Sequence, residues 1–302
     1  MIDTLALIYT PSIVDGYINL MSEIGAKINI DLKKSNEFRV VGKYKNLCVY
    51  IEPTFVRIEG SFPKYYYGTN LKPLSHIELG LAIDKLSAVF GLPLKQAVIG
   101  RIDIATDVEV VNPPCSYFSS LGNLAKFDRN IRRGSLYYEQ GWCKLCFYDK
   151  IAEAKKHNDC HLTEELLNKN ILRYEIRYRR DRLKNYFGRD IKVWEVCNGS
   201  IDVYCELVAK SFFIYNDIVK IGNLEFNFDM TMAGLGKGAI LKQYRDGTDL
   251  MKLIDNCSEK GDKRARRMKR EIMKLLKERY VLDESTEELK EKIFDAVCEL
   301  ID

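Results

Sequence analysis

RIDIATD, residues 101–107, is the stretch from which the rest of the chain is read. Side chains alternate across a β-strand with a period of two. Ile102, Ile104 and Thr106 therefore share one face, and Arg101, Asp103, Ala105 and Asp107 the other. RYEIRYR, residues 173–179, repeats the arrangement, with Tyr174, Ile176 and Tyr178 opposite Arg173, Glu175, Arg177 and Arg179. Each strand has an apolar face for a core and a face where a carboxylate sits among arginines. Such a face is either a structural ion-pair network or an anion-handling site with a metal.

A third strand, Lys144–Tyr148, favours the second alternative. Lys144, Cys146, Tyr148 and Lys150 alternate onto one face, and a helix carrying Glu153 follows. Tyr148 is a candidate nucleophile. An unperturbed phenol has a pKa near 10, so it needs activation. A cation such as Lys150 favours the phenolate, and a divalent metal neutralises charge developing on a phosphate. The ordinary role of a strand tyrosine is packing, and the chain has 18 of them.

Around these strands the pattern is mixed. Residues 4–60 alternate as strands at Leu5–Tyr9, Leu47–Ile51 and Phe55–Ile58. Leu74–Phe90 has helical spacing, with Ser75 as cap and Gly91 and Pro93 as stop. Helices are expected around Tyr117–Phe127 and Ile151–Lys169, and again over Ile201–Tyr215, Asp262–Tyr280 and Glu287–Leu300. In the helix at Asp262–Tyr280, Met268, Ile272, Leu275 and Leu276 share a face. Ile221–Phe228 reads as extended. AGLGKGAI, residues 233–240, reads as a turn, because it lacks the spacing and hydroxyl of a nucleotide-binding phosphate loop. The fold class is α+β, a mainly antiparallel sheet flanked by helices with a smaller helical C-terminal part. The boundary is expected near residue 190, giving a catalytic domain over 1–190 and a DNA-binding or oligomerisation region over 191–302.

Composition is that of a soluble globular protein, 46% apolar and 30% charged. No apolar run of about 18 residues marks a membrane span, and MIDTLALIYT has neither the basic flank nor the cleavage site of a signal peptide. Nine cysteines, an odd number, fit a reducing cytoplasm. Cys143 and Cys146 form a lone CxxC without the second pair that structural zinc requires. His157, His161 and Cys160 could meet at a helix end, where solvated side chains are the commoner arrangement.

The net charge of +4 is unevenly spread. Residues 173–189 hold seven Arg or Lys against Glu175 and Asp181, and residues 260–279 hold ten against three acidic residues. Such blocks are the footprint of phosphate binding or a solvated helix face. The candidate DNA-binding residues are Arg179, Arg180, Arg182 and Lys184 in the first block. In the second they are Lys263, Arg264, Arg266, Arg267, Lys269 and Arg270.

Several segments together resemble a known family. MIDTLALI, VRIEGSFPKYYYGTN (57–70), GRIDIATD (100–107), FYDKIAEAKKH (147–157) and LRYEIRYRRDRLKNYFG (172–188) are similar to the gene II/gene X replication proteins of filamentous phages. The likeness to plasmid rolling-circle initiators is looser. The segments keep the family's order over residues 1–190, and little is similar beyond residue 200. The resemblance implies nicking and rejoining of one DNA strand at a replication origin. It implies Tyr148 as nucleophile, with Lys150, Arg173 and Arg177 as its catalytic neighbours. It also implies Asp103 and Glu175, with Glu153, as ligands of Mg²⁺ or Mn²⁺. Asp107 lies about 13 Å along the strand from Asp103 and ranks below it. The chain lacks the paired histidines by which many nicking enzymes hold their metal. The partners implied are single-stranded origin DNA, a host polymerase and helicase, and a second copy in a homodimer, with no membrane. A non-catalytic origin- or operator-binding protein and a hydrolytic metal-dependent nuclease remain as alternatives. If Tyr148 is not the nucleophile, Tyr137, Tyr138, Tyr174, Tyr178 and Tyr186 come next.

Overall fold

Among the described residues ten strands form one antiparallel sheet, in the order β2-β3-β4-β5-β1-β6-β10-β9-β8-β7, and its central strands alternate apolar with polar residues. The structure is a computed structural model and describes residues 1–11, 17–141, 143–197, 201–220, 254, 259, 261–278 and 284–300. The strands are β1 (Ile2–Tyr9), β2 (Asn29–Ile30), β3 (Val40–Tyr44), β4 (Leu47–Glu52), β5 (Phe55–Ser61) and β6 (Val98–Glu109). β7 (Asp128–Arg132), β8 (Ser135–Gln140), β9 (Cys143–Asp149) and β10 (Ile171–Arg179) complete the sheet. The α+β class is as the sequence indicates.

Helices α1 (Tyr17–Gly25), α2 (Phe62–Tyr67), α3 (His76–Phe90), α4 (Lys150–Lys156), α5 (Glu164–Leu167) and α6 (Arg180–Phe187) lie between or after strands. α7 (Val193–Cys197), α8 (Ile201–Asp217), α9 (Lys263–Glu278) and α10 (Glu284–Cys298) follow. α3 begins with a reciprocal capping box between Ser75 and Glu78 and ends at Gly91, whose φ of 70° suits a residue without a side chain. The segment 117–127 is not a helix. Only a short 3₁₀ turn at Pro114–Ser119 forms. Beyond it the backbone pairs elsewhere, Gly122 N donating to Val219 O and Val219 N to Asn123 O. The helix expected over Ile151–Lys169 splits into α4 and α5, with Asn158 left-handed at φ 50° between them. Residues 221–240, with the extended and turn segments, lie outside the described residues, as do the side chains of Ile272, Leu275 and Leu276.

The core is one continuous cluster under the apolar face. Ile102 and Ile104 of β6, Leu145 and Phe147 of β9, and Tyr174, Ile176 and Tyr178 of β10 are all at most 2% exposed. α8 covers them: Tyr174 Oη donates to Ser211 O at 2.7 Å, and Phe147 stacks on Tyr174. α10 packs against β6 and α8, with Phe294 against Phe212 and Lys292 Nζ donating to Glu109 O. Helices from both sides of residue 190 therefore enclose the same core. The charged face is left for chemistry.

Candidate active site

Strand register brings the charged faces into one row. β10 meets β9 with Arg173 opposite Tyr148, Glu175 opposite Cys146 and Arg177 opposite Lys144. On its other side Arg173 faces Asp107, Glu175 faces the small Ala105, and Arg177 faces Asp103. Glu175 is thus the diagonal neighbour of Tyr148, a distance that long side chains bridge. Tyr148 Oη donates to Glu175 Oε2 at 3.0 Å. Burial and the adjacent Glu175 hold the phenol well above its usual value. Burial, then Asp103 and Asp3, push Glu175 up to about 8. The result is a protonated phenol in contact with a weakly acidic carboxyl group.

Asp103 lies one residue pair further along. Its side chain is fully buried, and both oxygens are taken up by Arg101 and Arg177, with the Arg177 contacts at 3.2–3.3 Å. Arg101 also reaches Glu59 across β1 at 2.9 Å, passing over Ala6, which faces both residues. Arg177 joins the two halves, since its guanidinium also lies 3.8 Å from Glu175.

Two expected neighbours of Tyr148 make their hydrogen bonds elsewhere. Lys150 is buried, and its ammonium donates to Asn70 Oδ1 at 2.8 Å and Glu153 Oε2 at 2.7 Å. Its hydrogen bonds go to these two groups and not to the Tyr148 hydroxyl. Arg173 is 0% exposed and is held by Asp107, Asp3 and the carbonyl of Asn70. It staples strands together, and from its place opposite Tyr148 its charge favours the phenolate without a hydrogen bond to it.

A cleft of about 520 Å³ opens over Tyr148, Glu175 and Arg177. Glu153 of α4 and His157 at its C-terminal cap, 3.6 Å apart, form part of its wall. Lys144, Lys156 and Arg133 supply its positive charge, with Tyr137 beside them. Asp103, Lys150 and Arg173 do not line it. Sequence reasoning misses Arg133 and Lys156: Arg133 lies in a two-residue turn between strands with no clear alternation, and Lys156 lies in the segment 147–157 but outside the dense basic blocks.

The three carboxylates implied as metal ligands do not converge. Asp103 is closed off by guanidinium groups, and Glu153 is tied to Lys150 and His157. Among the described residues only Asp159, Cys160 and His161 bring three ligand atoms within 4.8 Å of one another. Asp159 there is bound to Thr69 and to the His161 backbone, and the group does not line the cleft. As arranged, Asp103, Glu175 and Glu153 do not fit a shared Mg²⁺ or Mn²⁺. The CxxC is not a metal pair either, since Cys143 and Cys146 point to opposite faces of β9 and burial pushes both thiols up to about 12.

The candidate DNA-binding residues are unevenly available. Arg179 and Lys184 are exposed, Arg180 is paired with Asp190, and Arg182 lies over the Tyr186 ring. On α9, Lys263, Arg264, Arg266, Arg267 and Arg270 are exposed and Lys269 is half-buried. Arg267 pairs with Glu271, and Arg270 donates to the Arg266 carbonyl. No helix among the described residues is long and apolar enough to cross a membrane.

A family model described as the N-terminal part of the phage replication-associated gene II protein matches residues 27–195, more than half of the chain. The chain belongs to this phage replication-protein family. The match takes in β6, β9, β10 and the whole cleft. Family membership gives the protein a role in the initiation of DNA replication. No curated protein matches the chain.

Proposed function

We propose that this member of the gene II replication-protein family nicks and rejoins one strand of DNA, with Tyr148 as the nucleophile. The observation that carries the reading is the Tyr148–Glu175 hydrogen bond in the wall of a polar, cation-lined cleft. Tyr148 Oη attacks the scissile phosphorus in line, and the bond from phosphorus to the 3′-oxygen breaks. The phenolic proton passes to Glu175. The departing 3′-oxygen takes a proton from solvent and becomes a free 3′-hydroxyl. A carboxylate with pKa near 8 is a weaker acid than usual and so a better proton acceptor. Transfer becomes downhill as negative charge leaves the phenol for the phosphate. Arg177, on the cleft wall, stabilises the charge gathering on the phosphate oxygens. Arg101 and Asp103 keep Arg177 in position. The 5′-phosphotyrosine conserves the bond for rejoining, so the cycle needs no nucleotide hydrolysis.

The test is incubation with labelled single-stranded DNA from the replicon that carries the gene, with and without Mn²⁺, on a denaturing gel. An SDS-stable protein–DNA band that disappears in Tyr148→Phe is the expected result. Cleavage with no adduct would replace the tyrosine step with hydrolysis by water. Binding without cleavage would make the protein an origin-binding module.

A further inference from the structure

Arg133 stands in a turn whose backbone favours other residues. Between β7 and β8 the chain reverses through Arg133 at φ 52° and Gly134 at φ 72°. Two consecutive left-handed residues make the tight hairpin turn in which Asn-Gly or Asp-Gly is preferred. A longer L side chain there costs on the order of 1 kcal/mol. Its neighbour Arg132 has local work, donating to Glu139 at 2.6 Å and covering the Tyr137 ring. Arg133 is exposed on the cleft rim and has no hydrogen bond or ion pair among the described residues. Lys156, in the last turn of α4, also lines the cleft, exposed and equally without a partner among them. The other cations of the cleft are committed, Lys144 to Glu139 at 2.8 Å and Arg177 to Asp103 at 3.2 Å.

We infer that Arg133 and Lys156 form a phosphate clamp, holding the backbone of a single DNA strand on either side of the phosphate presented to Tyr148. The inference takes from the proposed function only where the strand lies. The hairpin tip supplies one jaw and the end of α4 the other. A cleft of about 520 Å³ is the size of a small-ligand site, suited to a short stretch of one strand. Phosphate contacts of this kind fix position and carry no sequence preference. The turn strain at Arg133 is then tolerated for binding.

The test uses the full chain carrying Tyr148→Phe, so that nothing covalent forms, and fluorescent oligothymidylate titrated over a range of NaCl concentrations. Arg133→Asn and Lys156→Gln should each weaken binding about fivefold and lower the slope of log affinity against log salt by about 0.7. Arg133→Asn should melt at the same or a higher temperature than its parent, because Asn suits the turn. Lys34→Gln, beyond β2 at the opposite edge of the sheet, should change neither quantity. Unaltered affinity and slope in both clamp variants would overturn the proposal. So would an equal loss in Lys34→Gln, which would mean diffuse attraction. Clamp effects with no Tyr148 adduct from the unmodified protein would overturn the tyrosine chemistry and leave the clamp standing.

Discussion

The Tyr148–Glu175 pair makes two predictions about acidity. If Glu175 accepts the phenolic proton, nicking should speed up with pH until Glu175 is ionised near 8, then level off. Glu175→Gln should lower the rate by about 10²–10⁴-fold and flatten that profile. Raising Mn²⁺ should not restore the rate, as it would if Glu175 merely held a metal. Stability should move in the opposite sense. The folded carboxyl, near 8, binds a proton more tightly than the unfolded one near 4.5, so folding loses stability as pH rises between those values. Glu175→Gln should therefore melt higher than the parent at pH 8, with the gap closing below about pH 4.5; calorimetry at both pH values decides. The period of two placed Tyr148, Glu175 and Arg177 correctly on charged faces. It could not show depth. Lys150 and Arg173 share those faces but sink into the interior, because Asn70, Asp3 and Asp107 lie on segments far away in sequence.

At the level of elements, β10 is stapled to its surroundings by Arg173. Its guanidinium reaches Asp107 on β6, Asp3 on β1 and the carbonyl of Asn70. Arg173→Ala would leave the buried Asp3 and the half-buried Asp107 without their counter-charge, a loss of about 3 kcal/mol. Urea unfolding should show it, and replacing Asp3 and Asp107 with Asn in the same chain should recover part of the loss. β6, β9 and β10 were legible because each carries a clean alternation, and α3 because Ser75 and Gly91 punctuate it. β7 and β8 were not. β7 is an exposed edge strand of Asp128-Arg-Asn-Ile-Arg132, and no apolar stripe announces it. Segment 117–127 has helix-like apolar spacing, but the backbone of residues 121–123 pairs with residues 219–220, a pairing that no local pattern reveals.

Across the whole molecule, the described C-terminal helices belong to the same core as the cleft. Tyr174 and Tyr178 place their hydroxyls on Ser211 of α8, and Glu288 of α10 accepts from Val111 N and Tyr117 Oη. A fragment ending at residue 190 should therefore expose the apolar side of β6, β9 and β10. Its far-ultraviolet circular dichroism should persist, while dye binding rises and the cooperative melt is lost. The sequence pattern changes near residue 190, yet these contacts cross that point, because packing partners are chosen in space.

The central place of β1 has a consequence for biosynthesis. It pairs on one side with β5 and on the other with β6, and the ion pair from Asp3 to Arg173 spans 170 positions. Contacts that distant cannot nucleate locally, so closure of the sheet waits for most of the polypeptide to leave the ribosome. Tyr148 meets Glu175 only after β10 has been made. A ribosome stalled before residue 171 releases a product with Tyr148 but without Glu175. On the proposed mechanism the reacting pair is therefore complete only late in translation, as the long-range strands close.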